Sequence, residues 1–143
     1  PQDFADMLGW KEMAAKTAKA YSSLTEDEKN KTIIFADNYG QAGAISYYAT
    51  KYHLPKPYSA NANFLYWMPD SLRIHNIILI TDDENEMQHP FLKDFTTVIL
   101  SDSITDKYAR EKGSLILILK GANDKMNDMF NQKIKLAREK FRH

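Results

Sequence analysis

Short apolar runs alternate along this chain with stripes of apolar residues spaced three and four apart, and the alternation predicts strands and helices in turn. From Trp10 to Leu24 the residues Trp10, Met13, Ala14, Thr17, Ala18 and Tyr21 recur at helical steps, with Lys11, Lys16 and Lys19 between them, so the spacing predicts a surface helix. Thr25 and Glu28 have the spacing of a capping box and start a short helical turn that ends near Lys31. Ile33, Ile34 and Phe35 run continuously inside Thr32–Ala36, as in a strand covered on both faces. Asp37 and Asn38 can then cap a helix from Gly40 to Tyr52, whose buried stripe is Ala42, Ala44, Ile45, Tyr48 and Ala49.

Pro55 and Pro57 break the pattern, Tyr58–Ala60 predicts a short second strand, and the aromatic stretch Phe64–Trp67 is closed by Pro69. Ile77–Thr81 reads as a third strand, Val98–Leu100 with Thr97 as a fourth and Leu115–Leu119 as a fifth. The polar segments between them have room for short helices at Met87–Lys93 and Asp106–Lys112. A closing helix covers Asn123–Phe141, with Met126, Met129, Phe130, Ile134, Ala137 and Phe141 on one face. This order predicts one α/β domain over residues 1–143: a three-layer, Rossmann-like arrangement with a mainly parallel sheet of about five strands, helices on both faces and right-handed crossovers.

Composition narrows the function classes. Lysine plus arginine and aspartate plus glutamate both number 19, so no net field attracts nucleic acid. The absence of cysteine removes disulfides, thiol nucleophiles and thiolate metal sites, and leaves the compartment open. The longest apolar runs fall far short of the roughly 20 residues that cross a bilayer. The chain starts at Pro1 with neither an initiator methionine nor a basic-then-apolar leader, which reads as a processing site or internal boundary with further sequence upstream.

Three segments hold candidate chemistry. The turn Asp37–Ala44 joins the first strand to a helix, where backbone amides can hold an anion such as phosphate; Asn38, Gly40, Gln41 and Gly43 are the candidate residues. It offers Gly-x-x-Gly and not the dinucleotide fingerprint, and lacks the Lys-Ser/Thr pair of a phosphate loop, so glycines that let the helix approach the sheet are the competing explanation. The stretch Asn61–Trp67 groups two amides with three aromatic rings, a set that suits the faces and hydroxyls of a sugar and equally suits packing on the core or on a neighbouring domain. Asp82, Asp83, Glu84, Glu86 and His89 offer oxygens and an imidazole to a divalent cation, but match no metal-site spacing; a solvated acidic turn at a helix start explains them as well. His53, His75 and His143 are scattered singly and form no triad or ligand set. Lys133, Lys135, Arg138, Lys140 and Arg142 gather toward the C-terminal end of the closing helix, where they oppose its dipole; near a membrane the same cluster would rest on anionic headgroups.

The run Phe4-Ala5-Asp6-Met7-Leu8-Gly9-Trp10, the turn Asn38-Tyr39-Gly40-Gln41-Ala42-Gly43-Ala44-Ile45, and Leu54-Pro55 followed by Asn61-x-Asn63 and Tyr66-Trp67 resemble the soluble C-terminal domain of bacterial membrane glycosyltransferases. These are the dolichyl-phosphate-mannose protein mannosyltransferase-like proteins, a group that includes the aminoarabinose transferase type. The resemblance spans roughly the first half of the chain. It implies a polytopic inner-membrane enzyme that transfers a sugar from a polyprenyl-phosphate carrier, with this domain on the periplasmic side and its own N-terminal transmembrane region as partner. The acidic catalytic residues of the family lie near its N-terminal membrane helices, so no catalytic residue, metal ligand or cofactor is expected here. Asn61, Asn63, Tyr66 and Trp67 are then the expected contacts to a glycan, lipid or protein acceptor. The alternative expectation is an independent nucleotide- or phosphosugar-binding α/β protein that uses the Gly40/Gly43 turn.

Overall fold

The computed structural model describes residues 4–59, 69, 72–83, 85–103 and 114–140. The elements run α1 (Phe4–Ser22), α2 (Glu26–Asn30), β1 (Thr32–Ala36), α3 (Tyr39–Tyr52), β2 (Tyr58–Ser59), β3 (Asn76–Thr81), two 3-10 turns (Glu86–Gln88 and Pro90–Asp94), β4 (Thr97–Ser103), β5 (Leu115–Lys120) and α4 (Asp124–Lys140). One five-stranded sheet has the order β2-β1-β3-β5-β4.

The expected α/β class holds, but the sheet is mixed. β1 pairs in parallel with β2 and β3, whereas β5 is antiparallel to both β3 and β4. β5 is therefore the one reversed strand, wedged between β3 and β4. The chain returns antiparallel beside β4, with Ser103 paired to Leu115. The helix expected at Asp106–Lys112 lies outside the described residues.

Side-chain alternation along the three inner strands separates two cores. Ile34 and Ala36 of β1, Ile78 and Ile80 of β3, and Ile116 and Ile118 of β5 face α1 and α3, where Met13, Ala14, Ala42 and Ile45 are buried against them. Ile33 and Phe35, Ile77 and Leu79, and Leu117 and Leu119 face the other way, onto Met126, Phe130 and Ile134 of α4 and onto Leu92 and Phe95. All six residues of β3 are buried, as befits the middle strand of three layers.

Local chemistry sets the boundaries. α2 has the capping box expected from sequence: Thr25 Oγ1 accepts from Glu28 N at 3.1 Å, and Glu28 Oε1 accepts from Thr25 N at 2.9 Å. α3 ends at His53, whose positive φ of 56° forms a left-handed cap before Pro55. The helix expected at Met87–Lys93 is replaced by the two 3-10 turns. Pro90 has no backbone N–H to continue a helical ladder, and Phe91 N donates instead to His89 Nδ1 at 3.3 Å. β4 runs on to Ser103 at the edge of the sheet, with a bulge between Leu100 and Asp102. Gly121 has φ of 71°, and a Cβ there would lie 2.2 Å from Thr96 Oγ1, so the turn from β5 into α4 requires glycine.

Candidate functional site

β1 and β3 are parallel neighbours, and the segments leaving their C-terminal ends diverge: the chain after β1 enters α3 on one face, and the chain after β3 enters the 3-10 turns packed on the other. Divergence of this kind opens a crevice at the strand ends, the usual ligand position in open α/β sheets. Asp37 follows β1 there, and Asp82 and Asp83 follow β3.

The Asn38–Gly43 turn is organised around Asp82. Asn38 Oδ1 accepts from Gln41 N at 2.9 Å, and Gln41 Oε1 accepts from Asn38 N at 3.4 Å, a reciprocal cap on α3. The donor ends of both amides then meet one carboxylate: Asn38 Nδ2 donates to Asp82 Oδ2 at 2.5 Å and Gln41 Nε2 to Asp82 Oδ1 at 2.6 Å. Ser114 Oγ, at the start of β5, donates to the same Oδ1 at 2.8 Å. Asp82 thus sits where the helix dipole and three donors favour a negative charge.

The two glycines do not draw α3 onto the sheet, as the competing explanation required. A Cβ on Gly43 would meet nothing within 4 Å, and one on Gly40 would make ordinary contacts at 3.5 Å with Asn38 Oδ1 and 3.7 Å with Trp10. Close approach instead falls to Ala42 and Ala44, both buried in the core. Asn61, Asn63, Tyr66 and Trp67 lie outside the described residues, as does Glu84.

The acidic turn after β3 is built locally: Asp83 N donates to Thr81 Oγ1 at 3.1 Å, and Asp83 Oδ1 accepts from Asn85 N at 2.9 Å. Among the described residues no three His, Asp or Glu side chains converge in a way that would hold a metal ion. Nor is any described helix long and apolar enough to cross a membrane.

A cavity of about 260 Å3 lies beside the crevice, between the sheet and α4. Phe35, Ile77, Leu79 and Leu119 line it from the strands, and Met126, Met129, Phe130 and Ile134 from the helix. Phe35 and Phe130 meet edge to face with ring centres 5.4 Å apart. Asp37, Glu86, His89 and Lys133 are its polar members.

The two carboxyls share one electrostatic tendency. Desolvation pushes the Glu86 carboxyl above its ordinary value of 4.5, and the charges of Asp37 and Asp83 push it further, against opposing pulls from His89 and Lys133. Asp37 is exposed as a residue and is among those lining the cavity; desolvation raises its carboxyl above 3.8, with Asp82 and Asp83 adding to the rise and hydrogen bonds from Thr81 and the Asp82 backbone opposing it. Partly desolvated carboxyls in a concave apolar site are a recurrent property of functional sites.

Sequence reasoning placed Asn38 and Gln41 at the right turn but missed their shared acceptor, which lies 44 and 41 residues away along the chain. It also missed the cavity. The helical stripe Met126, Met129, Phe130, Ile134 was legible, but not that its packing on β1 and β3 leaves a gap closed by Glu86 and His89. Comparison with known proteins found no matching family model, no matching curated protein and no matching solved structure.

Proposed function

We propose that this chain is the periplasmic accessory domain of a polytopic glycosyltransferase, one that moves a sugar from a polyprenyl-phosphate carrier to an acceptor while the reacting groups lie in the membrane portion of the same protein. In this reading the domain aids acceptor positioning or assembly, and Asn61, Asn63, Tyr66 and Trp67 supply contacts to a glycan, lipid or protein acceptor. The reading starts from the ordered resemblance of Phe4–Trp10, Asn38–Ile45 and Leu54–Trp67 to that family's soluble domain.

The observation that favours it over an independent nucleotide-binding protein is the occupation of the Asn38–Gly43 turn by Asp82. Its side-chain amides already serve a carboxylate, and a phosphate drawn to the helix end would meet the charges of Asp82 and Asp37. The turn then acts as a clasp between α3, β3 and β5, a structural role suited to an accessory domain.

Cell fractionation tests the proposal. An antibody raised against this chain is expected to detect, in the membrane fraction of source cells, a band several times heavier than 16.5 kDa. A soluble band near that mass would overturn it.

A further inference from the structure

Glu86 is a nearly buried carboxylate among the cavity-lining residues. It is 9% exposed, it lines the cavity, and none of the described residues donates a hydrogen bond to its side chain. His89 and Lys133 influence it electrostatically, but neither comes within 4.0 Å as a salt-bridge partner. Asp82, a few residues earlier, collects three side-chain donors. The Glu86 oxygens keep contact with water at the cavity mouth, and an ammonium group that displaced that water would form a charge-assisted bond in a partly desolvated site.

Charge and size restrict what such a molecule is. Asp37 and Glu86 share the lining with His89 and Lys133, and the charge of Asp83 acts on both carboxyls from nearby, so the acidic side of the cavity favours a cation over an anion. A protonated amine carries three donors, enough to serve both Glu86 and Asp37. An apolar cavity of about 150 Å3 accepts benzene, so the 260 Å3 here has room for roughly ten heavy atoms. Met126 and Met129 supply adaptable walls, and Phe130 an aromatic face.

We propose that the cavity between the sheet and α4 is a binding site for a small hydrophobic amine, its apolar body against Met126, Met129 and Phe130 and its ammonium group donating to Glu86 and Asp37. This site is independent of membership in a membrane glycosyltransferase and stands or falls without it.

Three probes of nearly equal shape and different charge test the assignment on the 143-residue chain: phenethylamine, phenethyl alcohol and phenylacetate, titrated at neutral pH while the methionine methyl resonances are followed by NMR. Phenethylamine is expected to saturate, to shift Met126 and Met129, and to bind about tenfold or more tightly than the alcohol, the ratio of one hydrogen bond to a charged group. Glu86→Gln should bring the amine down to the affinity of the alcohol without changing the latter, and Asp37→Asn should act in the same direction. Because neither change removes packing atoms, an unaltered methyl spectrum identifies the folded variants. Equal affinity for amine and alcohol, tighter binding of phenylacetate, or no saturable shift with any of the three would overturn the proposal.

Discussion

The two ends of the central strands treat their polar groups in opposite ways. At the N-terminal ends of β1 and β3, Asn76 N donates to Lys31 O, Asn76 Nδ2 to Thr32 Oγ1, and Gly121 N to Asn76 Oδ1, so one asparagine links β1, β3 and the turn after β5. Asn127 and Asn131 of α4 accept from and donate to the backbone of Ile74 and Leu72 respectively, and each also donates to the carbonyl four residues earlier in the chain. Glu28 is joined to Lys120 at 2.8 Å. At the C-terminal ends Asp82 is equally well held and Asp37 takes hydrogen bonds from Thr81 and the Asp82 backbone, but Glu86 lines the cavity without a donor among the described residues. Buried polar groups that are mutually satisfied fix register; a group left short of donors raises the energy of the free protein and keeps bonding capacity for something else.

The largest expected effect comes from the satisfied end. Asn127 is buried and covers both the N–H and the C=O of Ile74. Asn127→Leu keeps the size and strands two backbone groups, so urea unfolding should show a loss of about 3 kcal/mol. A loss below about 1 kcal/mol would mean that water takes over these bonds, and the contrast between the two ends would weaken.

The Asp82 clasp comes next. Asp82→Ala removes an acceptor shared by Asn38, Gln41 and Ser114, leaving fully buried Gln41 with the longer bond to Ser114 Oγ at 3.4 Å among its contacts. A destabilisation of about 2 kcal/mol is expected, together with faster amide hydrogen exchange in the first turn of α3. Unchanged exchange there would place the clasp outside the forces that hold α3.

The same distinction explains what was legible in the sequence. Capping by Thr25 and Asn38, the continuous strands β1, β3 and β5, and the apolar stripe of α4 depend on residues within four positions of each other, and they read directly from spacing. The direction of β5 did not, because Leu115–Lys120 has the same apolar run whichever way it points, and its direction shows only in its pairing with β3 and β4. The site was less legible still. Asp82 and Glu86 belong to one polar stretch and look alike as an acidic turn, yet one reaches back to α3 while the other closes a cavity against α4; their fates depend on partners more than forty residues away. Pro90 was a readable helix breaker whose consequence, the 3-10 turns that present Glu86 and His89, escaped the helical reading of Met87–Lys93.

The smallest expected effects carry the sharpest form of the comparison, because their signs are opposite. Glu86 has its carboxyl raised above 4.5, first by desolvation and then by Asp37, with Asp83 adding and His89 and Lys133 opposing. A raised acid favours the folded protein at low pH, and that advantage is lost as pH climbs from 4.5 through the folded value. Glu86→Gln should therefore stabilise the protein at neutral pH, by less than about 1 kcal/mol because water reaches the cavity mouth and screens the charge. The gain should fade below pH 4.5. Glu28 has its carboxyl lowered, first by the hydrogen bond from Lys120 and then by the Thr25 backbone. Its contribution is present above pH 4.5 and lost as pH falls through the folded value, so Glu28→Gln should destabilise slightly at neutral pH and converge with the unaltered chain in acid. Urea midpoints of both variants across this range should diverge from the parent in opposite directions as pH rises. If both fall together, Glu86 is as well satisfied as Glu28, and the carboxylate at the cavity mouth holds no unused bonding capacity for a ligand.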